Sequence, residues 1–305
     1  RVVGVSRSPQ RSPLFIRCLA RRNGALSRYA YHALDMNRDM SRLLDLLDAE
    51  RPAFIVNFAA QSEVAPSWAH PDHWFQTNTV ALAQLVNHLR QRDWLRRYVH
   101  ISSPEVYGTC VGTVREDAPL NPSTPYAASK AAADMLLETY RRQFDFPVLW
   151  VRATNVYGAR QQLFKIIPRS AIYLRLGRTI ELHGGGRAIK SYIHIRDVSR
   201  GELAVLRDGR VGEKYHLSPD KGVAVRDVVR VICRRAGRRF EDCVRTVDER
   251  PGQDAAYVID STRAREELRW SPRVALDEGL NEVVEWVDRN WNDIRALPLE
   301  YQHQP

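Results

Sequence analysis

The sequence predicts an α/β fold: a doubly wound parallel sheet with helices on both faces, followed by a smaller C-terminal α/β lobe. Three observations carry that expectation. Through the first half, short runs rich in β-branched and aromatic residues alternate with segments whose apolar residues recur at helical spacing. One such run, residues 54–58, is apolar enough for a strand buried on both faces, as parallel strands are. The chain has 305 residues, 44% of them hydrophobic, which is enough for one large core or two modest ones.

Taken in order, residues 2–5 read as a strand and residues 40–48 as a helix with Leu43, Leu44, Leu46 and Leu47 on its buried side. The strand at 54–58 follows, then one long helix over 73–91 carrying Val80, Leu82, Leu85, Val86 and Leu89. Residues 98–101 form a strand, 126–142 a helix and 148–151 another strand, completing a strand–helix–strand rhythm. Beyond Asn155 the rhythm loosens: short strands at 179–182, 192–195, 213–217 and 244–247 mix with helices near 164–176, 198–206, 225–235 and 276–291. Residues 1–155 therefore read as a nucleotide-binding domain and 156–305 as a substrate lobe interleaved with it. No linker, repeat or low-complexity stretch separates the two.

The formal net charge is +10, yet the basic residues are dispersed: only Lys130, Lys165, Lys190, Lys214 and Lys221 are lysines, and acidic residues interleave the arginines. That pattern argues against a nucleic-acid surface and suits a small anionic substrate such as a diphosphate. No run of eighteen apolar residues spans a membrane. Cys18, Cys110, Cys233 and Cys243 are scattered, without metal-ligand spacing, so the expectation is reduced thiols, no metal and a cytoplasmic location.

Tyr126 and Lys130 stand four apart in Tyr-Ala-Ala-Ser-Lys, on one face of a predicted helix. An ammonium near a phenol favours the phenolate, which can take a hydroxyl proton while hydride leaves the same carbon. Ser102, Ser103 and Glu105 follow the strand at 98–101, and ligands of open α/β sheets bind beyond the carboxyl ends of the strands. A hydroxyl there can hold a substrate oxygen and a carboxylate can act as a base.

In order and spacing, Asn57-Phe-Ala-Ala-Gln61-Ser, Thr77-Asn78, Ser102–Gly108, Tyr126/Lys130 and Arg152-Ala-Thr-Asn-Val-Tyr-Gly158 resemble the extended short-chain dehydrogenase/reductase superfamily. The stretches 182–197 and 249–260 and the Trp270-Ser-Pro272 triplet look like its nucleotide-sugar 4,6-dehydratase/epimerase branch. The resemblance implies a Rossmann-type fold and a 4,6-dehydratase mechanism. Tyr126, with Lys130, takes the C4 hydroxyl proton, Ser103 hydrogen-bonds O4, Glu105 removes the C5 proton, and hydride returns to C6 after water leaves. A Ser/Glu pair also resembles the nucleotide-sugar decarboxylases, epimerases of the branch lack the glutamate, and a catalytically silent sensor of the dinucleotide is a further alternative. Pro104 departs from the family's usual acid at that position and has no proton to give the leaving oxygen.

For the cofactor, the resemblance points to Arg7 and Ser8, Asp35 and Met36, Ala59, Ala60, Gln61, Asn78 and Ser102, besides Tyr126 and Lys130. Arg7 with flanking serines, where an acidic residue would favour NAD, implies NADP over NAD. The nucleotide diphosphate is assigned to Asn155, Lys165, Lys190, Arg250 and Gln253, and Tyr107 is placed near the sugar. His183, His194 and His216 read as structural. Relatives pair through the two long helices into a four-helix interface, so the resemblance implies a homodimer, or a tetramer built from two. The family's opening strand and glycine-rich turn find no counterpart in this sequence, a gap of roughly two dozen residues for one βα unit.

Overall fold

The computed structural model describes residues 1–20, 27–109, 112–249 and 256–305, which fall into two compact units. The first comprises residues 1–102, 124–151 and 205–214. In chain order its elements are β1 (Val2–Ser6), α1 (Arg17–Ala20), β2 (Tyr29–Ala33), α2 (Met40–Glu50), β3 (Phe54–Asn57), α3 (Val64–Ala69), α4 (Pro71–Phe75), a π-helical turn Gln76–Val80, α5 (Ala81–Leu89) and β4 (Arg97–Ile101). After β5 (Thr113–Val114), which belongs to the second unit, come α6 (Pro125–Phe144) and β6 (Val148–Ala153).

All described pairings in this unit are parallel: β1 with β2, β3 with β4, and β4 with β6. Leu82, Leu85, Val86 and Leu89 of α5 meet Tyr98 of β4, Leu137 of α6 and Val148 and Trp150 of β6 in one core. Each buried Leu or Val side chain there stabilises the fold by about 1.5–3 kcal/mol. Helix α6 starts cleanly because Thr124 is an N-cap, its Oγ1 accepting the Ala127 N–H at 3.1 Å, and Pro125 occupies the first helical position, where no N–H is needed.

Two expectations differ here. Phe54 and Phe58 are 50% and 61% exposed and Ile55 and Val56 only half-buried, so the run at 54–58 is not buried on both faces. The helix expected over 73–91 is present without a break over residues 71–89, and what the periodicity does not show is the π-helical turn inside it that carries Asn78. No ladder joins β1–β2 to β3–β4–β6 among the described residues.

The second unit comprises residues 103–123, 152–204 and 215–305. Its further elements are β7 (Asn155–Tyr157), α7 (Ile166–Leu176), β8 (Ile180–His183), β9 (Ile189–Lys190), β10 (Tyr192–His194), α8 (Ile195–Asp208), β11 (Lys214–Leu217), β12 (Val223–Ala224), α9 (Val225–Arg235), α10 (Phe240–Cys243), β13 (Val244–Val247), β14 (Ala256–Ile259), α11 (Thr262–Leu268), α12 (Leu276–Arg289) and α13 (Trp291–Ile294). Helix α8 and strands β6 and β11 each run across the division of the chain into these units. Small ladders hold the unit together: β7 with β10, β8 with β13, and β9 with both β12 and β14. Leu280, Val283 and Val287 of α12 are buried at helical spacing, as the periodicity requires.

A 3₁₀ turn, Pro104–Tyr107, follows β4 in the chain and ends at Gly108 with φ +66°. A side chain at Gly108 would run into the Asn121 carbonyl, whose own N–H donates to Val106 O at 2.9 Å. Gly108→Ala is therefore expected to cost about 2–4 kcal/mol and lower Tm by about 5 °C or more. Calorimetry checks this, and an unchanged Tm would refute it.

Candidate active site

In the first unit, two pairs of parallel strands carry polar segments at their carboxyl ends. Arg7 and Ser8 follow β1, Asp35 and Met36 follow β2, residues 59–61 follow β3, and Ser102 follows β4. The Tyr31 hydroxyl donates to Ser8 O, bracing the first loop. Asp35 Oδ1 accepts the Asn37 N–H at 2.8 Å, and the Asn37 amide donates to Thr77 Oγ1 at 2.9 Å, tying the second loop to the π-helical turn. Asn57 Oδ1 accepts the Ala59 N–H at 3.0 Å and so shapes the third.

Asn78 lies on the π turn inside the long helix. Its Oδ1 accepts the Gln61 N–H at 2.8 Å, and its amide donates to Gln61 O at 3.0 Å and Ser129 Oγ at 2.9 Å. A π turn brings this side chain to three partners that a regular helix would miss, a frequent device at functional sites. Asn78 thus locks the loop after β3 to α6, the helix that bears Tyr126 and Lys130.

On α6, Tyr126 is 8% exposed, its N–H donating to Ser67 Oγ at 3.2 Å. Lys130 is buried, and its Nζ donates to Ile101 O at 2.7 Å and to His100 Nε2 at 3.3 Å. Burial pulls the ammonium down to about 8, while the Asp134 carboxylate opposes that shift. Ser102 Oγ donates to Asp134 Oδ2 at 2.7 Å, so this serine serves the helix as much as any bound molecule. His100 and Asp134 escaped the sequence reading. Asp134 stands four residues after Lys130, on the same helical stripe, which was the available signal.

In the second unit, Ser103 caps the 3₁₀ turn, its Oγ accepting the Glu105 N–H at 3.2 Å. That bond leaves the hydroxyl proton of Ser103 uncommitted, available to a substrate oxygen. Pro104 sits at the first helical position, where proline pre-sets φ, so it stiffens the turn that presents Glu105. Glu105 is partly exposed between buried neighbours.

Tyr107 does not offer its hydroxyl to a ligand. The residue is buried, and its hydroxyl lies 2.7 Å from His216 Nε2 and accepts from Arg152 Nη1. His216 Nδ1 lies 2.9 Å from Asp260 O, which only accepts, so Nδ1 carries the proton and Nε2 accepts from Tyr107. Burial, then the Arg152 charge, push His216 down to about 3 from 6.5.

Below pH 6.5 the unfolded chain takes up a proton on this residue and the folded chain does not. The stability present above pH 6.5 is therefore lost as pH falls toward 3, at about 1.4 kcal/mol per pH unit. Urea unfolding between pH 7 and 5 should show that slope, and His216→Gln should flatten it by that amount. An unaltered slope would mean His216 titrates normally.

Among the residues assigned to the diphosphate, Asn155 and Lys190 come together: Asn155 N–H donates to Ser191 O at 3.0 Å, next to Lys190 on β9. Lys165 precedes α7, with its Nζ 5.4 Å from the centre of the Phe164 ring. Arg250 and Gln253 lie outside the described residues.

Parallel strands with polar loops at their carboxyl ends, and a helix carrying a buried Tyr–Lys pair, define a Rossmann-type dehydrogenase fold. Residues 2–283 match the family model described as GDP-mannose 4,6 dehydratase, and the chain belongs to that family, within the extended short-chain dehydrogenase/reductases. It is 36% identical over 254 residues to a dTDP-glucose 4,6-dehydratase of Streptomyces niveus, a match covering 82% of this chain and 75% of the relative. It is 33% identical over 264 residues to a trifunctional UDP-glucose 4,6-dehydratase/3,5-epimerase/reductase of Arabidopsis thaliana, a match that takes in 84% of this chain but only 39% of that relative's length. The crystal structure of DesIV, a dTDP-glucose 4,6-dehydratase of Streptomyces venezuelae, superposes with a TM-score of 0.84 at 32% identity, covering 91% of this chain and 85% of that one.

DesIV was crystallised with NAD, and this corrects the expectation of NADP. The physical reason lies at Arg7, whose side chain is exposed beyond β1. An exposed guanidinium on an arginine-rich surface does not make a pocket for a 2′-phosphate.

Proposed function

We propose that the protein is a nucleotide-sugar 4,6-dehydratase that works with NAD on a nucleoside-diphosphate hexose. The observation that carries this reading is the Ser103-capped turn, which holds a glutamate just beyond β4 in a chain that also buries a Tyr–Lys pair on α6. The residues at the strand ends fit a dinucleotide. Besides the loops already described, Asn37 Oδ1 is buried without a hydrogen-bond partner among the described residues, an acceptor suited to a nucleotide's amino or hydroxyl groups.

In this reading Arg7, Ser8, Asp35, Met36 and residues 59–61 hold the dinucleotide, which supplies hydride acceptance and return. Tyr126 takes the proton of the C4 hydroxyl, and the Lys130 ammonium stabilises the negative charge left on its phenol oxygen. Ser103 donates to O4 as that oxygen becomes a carbonyl. Glu105 removes the C5 proton, acidified by the C4 ketone, and the C6 hydroxyl leaves as water. With Pro104 unable to give a proton, Glu105 itself passes the proton it gained to the departing oxygen, and C5 takes a proton from solvent as hydride returns to C6. Asn155, Lys165 and Lys190, with Arg250 and Gln253, bind the diphosphate.

The same reading includes a homodimer in the cytoplasm. Trp68, Phe75, Val80 and Met135, on α3, α4, the π-helical turn and α6, leave large apolar side chains 52%, 38%, 44% and 62% exposed, more than a monomer gains from. Light scattering at a monomer's mass would remove the dimer from the proposal.

The function is tested by mass spectrometry of dTDP-glucose, UDP-glucose, GDP-mannose, CDP-glucose and UDP-N-acetylglucosamine, each incubated with the protein and NAD. One product lighter by a water, labelled by deuterium from heavy water at C5, is expected. An isomer of unchanged mass would move the reading to an epimerase. Loss of carbon dioxide from UDP-glucuronate, added as a control, would move it to a decarboxylase.

A further inference from the structure

Behind Tyr126 the first unit buries three ionisable side chains together: Lys130, His100 and Asp134 are 2%, 1% and 3% exposed. A buried ammonium is costly unless a charge or a set of acceptors compensates it. Two acceptors are in place, Ile101 O at 2.7 Å and His100 Nε2 at 3.3 Å, so Nε2 is the unprotonated ring nitrogen. Asp134 Oδ1 lies 3.8 Å from that same Nε2, too far for a bond, so the carboxylate acts on the cluster through space. Its other oxygen is held by Ser102 Oγ at 2.7 Å, which fixes the carboxylate between β4 and α6. Lys130 and Asp134 are one helical turn apart, with Tyr126 one turn earlier on the same stripe.

We propose that Asp134, together with His100, is a positioning group that keeps the Lys130 ammonium charged and fixed in place one turn from Tyr126. This rests on the catalytic reading of Tyr126 and Lys130, and it adds residues to which neither the motif nor the family match assigns a role. Among the described residues, the ionisable groups set around the ammonium are His100 from β4 and Tyr126 and Asp134 from its own helix. Of the segments packed on this helix, α3 and the π-helical turn present Ser67 to Tyr126 and Asn78 and Thr79 to Ser129, none of them ionisable, while α4 carries Asp72 and His73, 3.7 Å from each other, and α5 carries His88, 3.1 Å from Asp48. Removing the negative charge of Asp134 leaves burial unopposed and should release the Lys130 proton at lower pH.

The scarcity of lysine makes a direct test simple. Lysine labelled with ¹³C at Cε gives five resonances in this chain, and Lys130→Arg identifies one of them. Asp134→Asn should lower the midpoint of Lys130 by about one pH unit or more, without altering the circular dichroism spectrum. The alkaline limb of kcat should move with it while KM stays unchanged. Should Asp134→Asn not fold, the wild-type protein decides: the Asp134 carboxyl ¹³C resonance should shift at the Lys130 midpoint. A midpoint unmoved in Asp134→Asn, or an Asp134 resonance silent through the Lys130 transition, overturns the proposal. Full turnover by Tyr126→Phe would instead overturn the catalytic reading and leave the coupling of Lys130 to Asp134 standing.

Discussion

Tyr126→Phe should cut turnover about a thousandfold, because in the proposed reaction the phenol oxygen takes the C4 hydroxyl proton and phenylalanine offers nothing in its place. The fold should survive. The Tyr126 backbone N–H donates to Ser67 Oγ and its carbonyl accepts from Ser129 Oγ at 2.8 Å, and neither bond uses the phenol. Single-turnover kinetics with isothermal titration of the nucleotide sugar separate the two effects. An affinity preserved within about threefold with kcat lost places Tyr126 in the chemistry. A loss of affinity as large as the loss of rate would make it a binding residue.

Glu105→Gln should show a different defect. The amide keeps the size of the carboxylate and leaves the backbone bond from Glu105 N–H to Ser103 Oγ intact, but it cannot remove a proton from C5. Oxidation at C4 should persist while loss of water slows about 10²–10⁴-fold, so that a 4-keto sugar retaining its C6 oxygen accumulates. Mass spectrometry of the quenched reaction distinguishes the two products, and exchange of the C5 hydrogen in heavy water should fall in parallel. Wild-type release of the dehydrated sugar from Glu105→Gln would remove the glutamate from the elimination step.

Much of this was legible in the sequence because it depends on period and order. The strand at 97–101, the helix at 125–144 and the Ser-Pro-Glu turn between them follow from apolar runs, capping and proline, all local signals. The π turn inside the helix at 73–91 was not legible, for a physical reason. Asn78 within it bonds to Gln61 and Ser129, residues 17 and 51 positions away, and periodicity carries no record of such bonds. His100 was hidden in the same way. It occupies one position in a five-residue strand, and its partners Lys130 and Asp134 come thirty residues later. The choice between NADP and NAD failed differently: a charge at a strand end was legible, but its exposure was not.

The chain of hydrogen bonds through Arg152, Tyr107, His216 and Asp260 has a direction. Arginine can only give protons at one end and a backbone carbonyl can only receive them at the other, so every link between has one permitted orientation. Such a one-way row cannot be edited a residue at a time. Tyr107→Phe would strand a donor on Arg152 and an acceptor on His216 at once, whereas a change at Glu105 breaks none of the links. The turn is thus an uneven landscape for substitution: position 105 changes without disturbing this row, and the residue two places on changes only as part of a set.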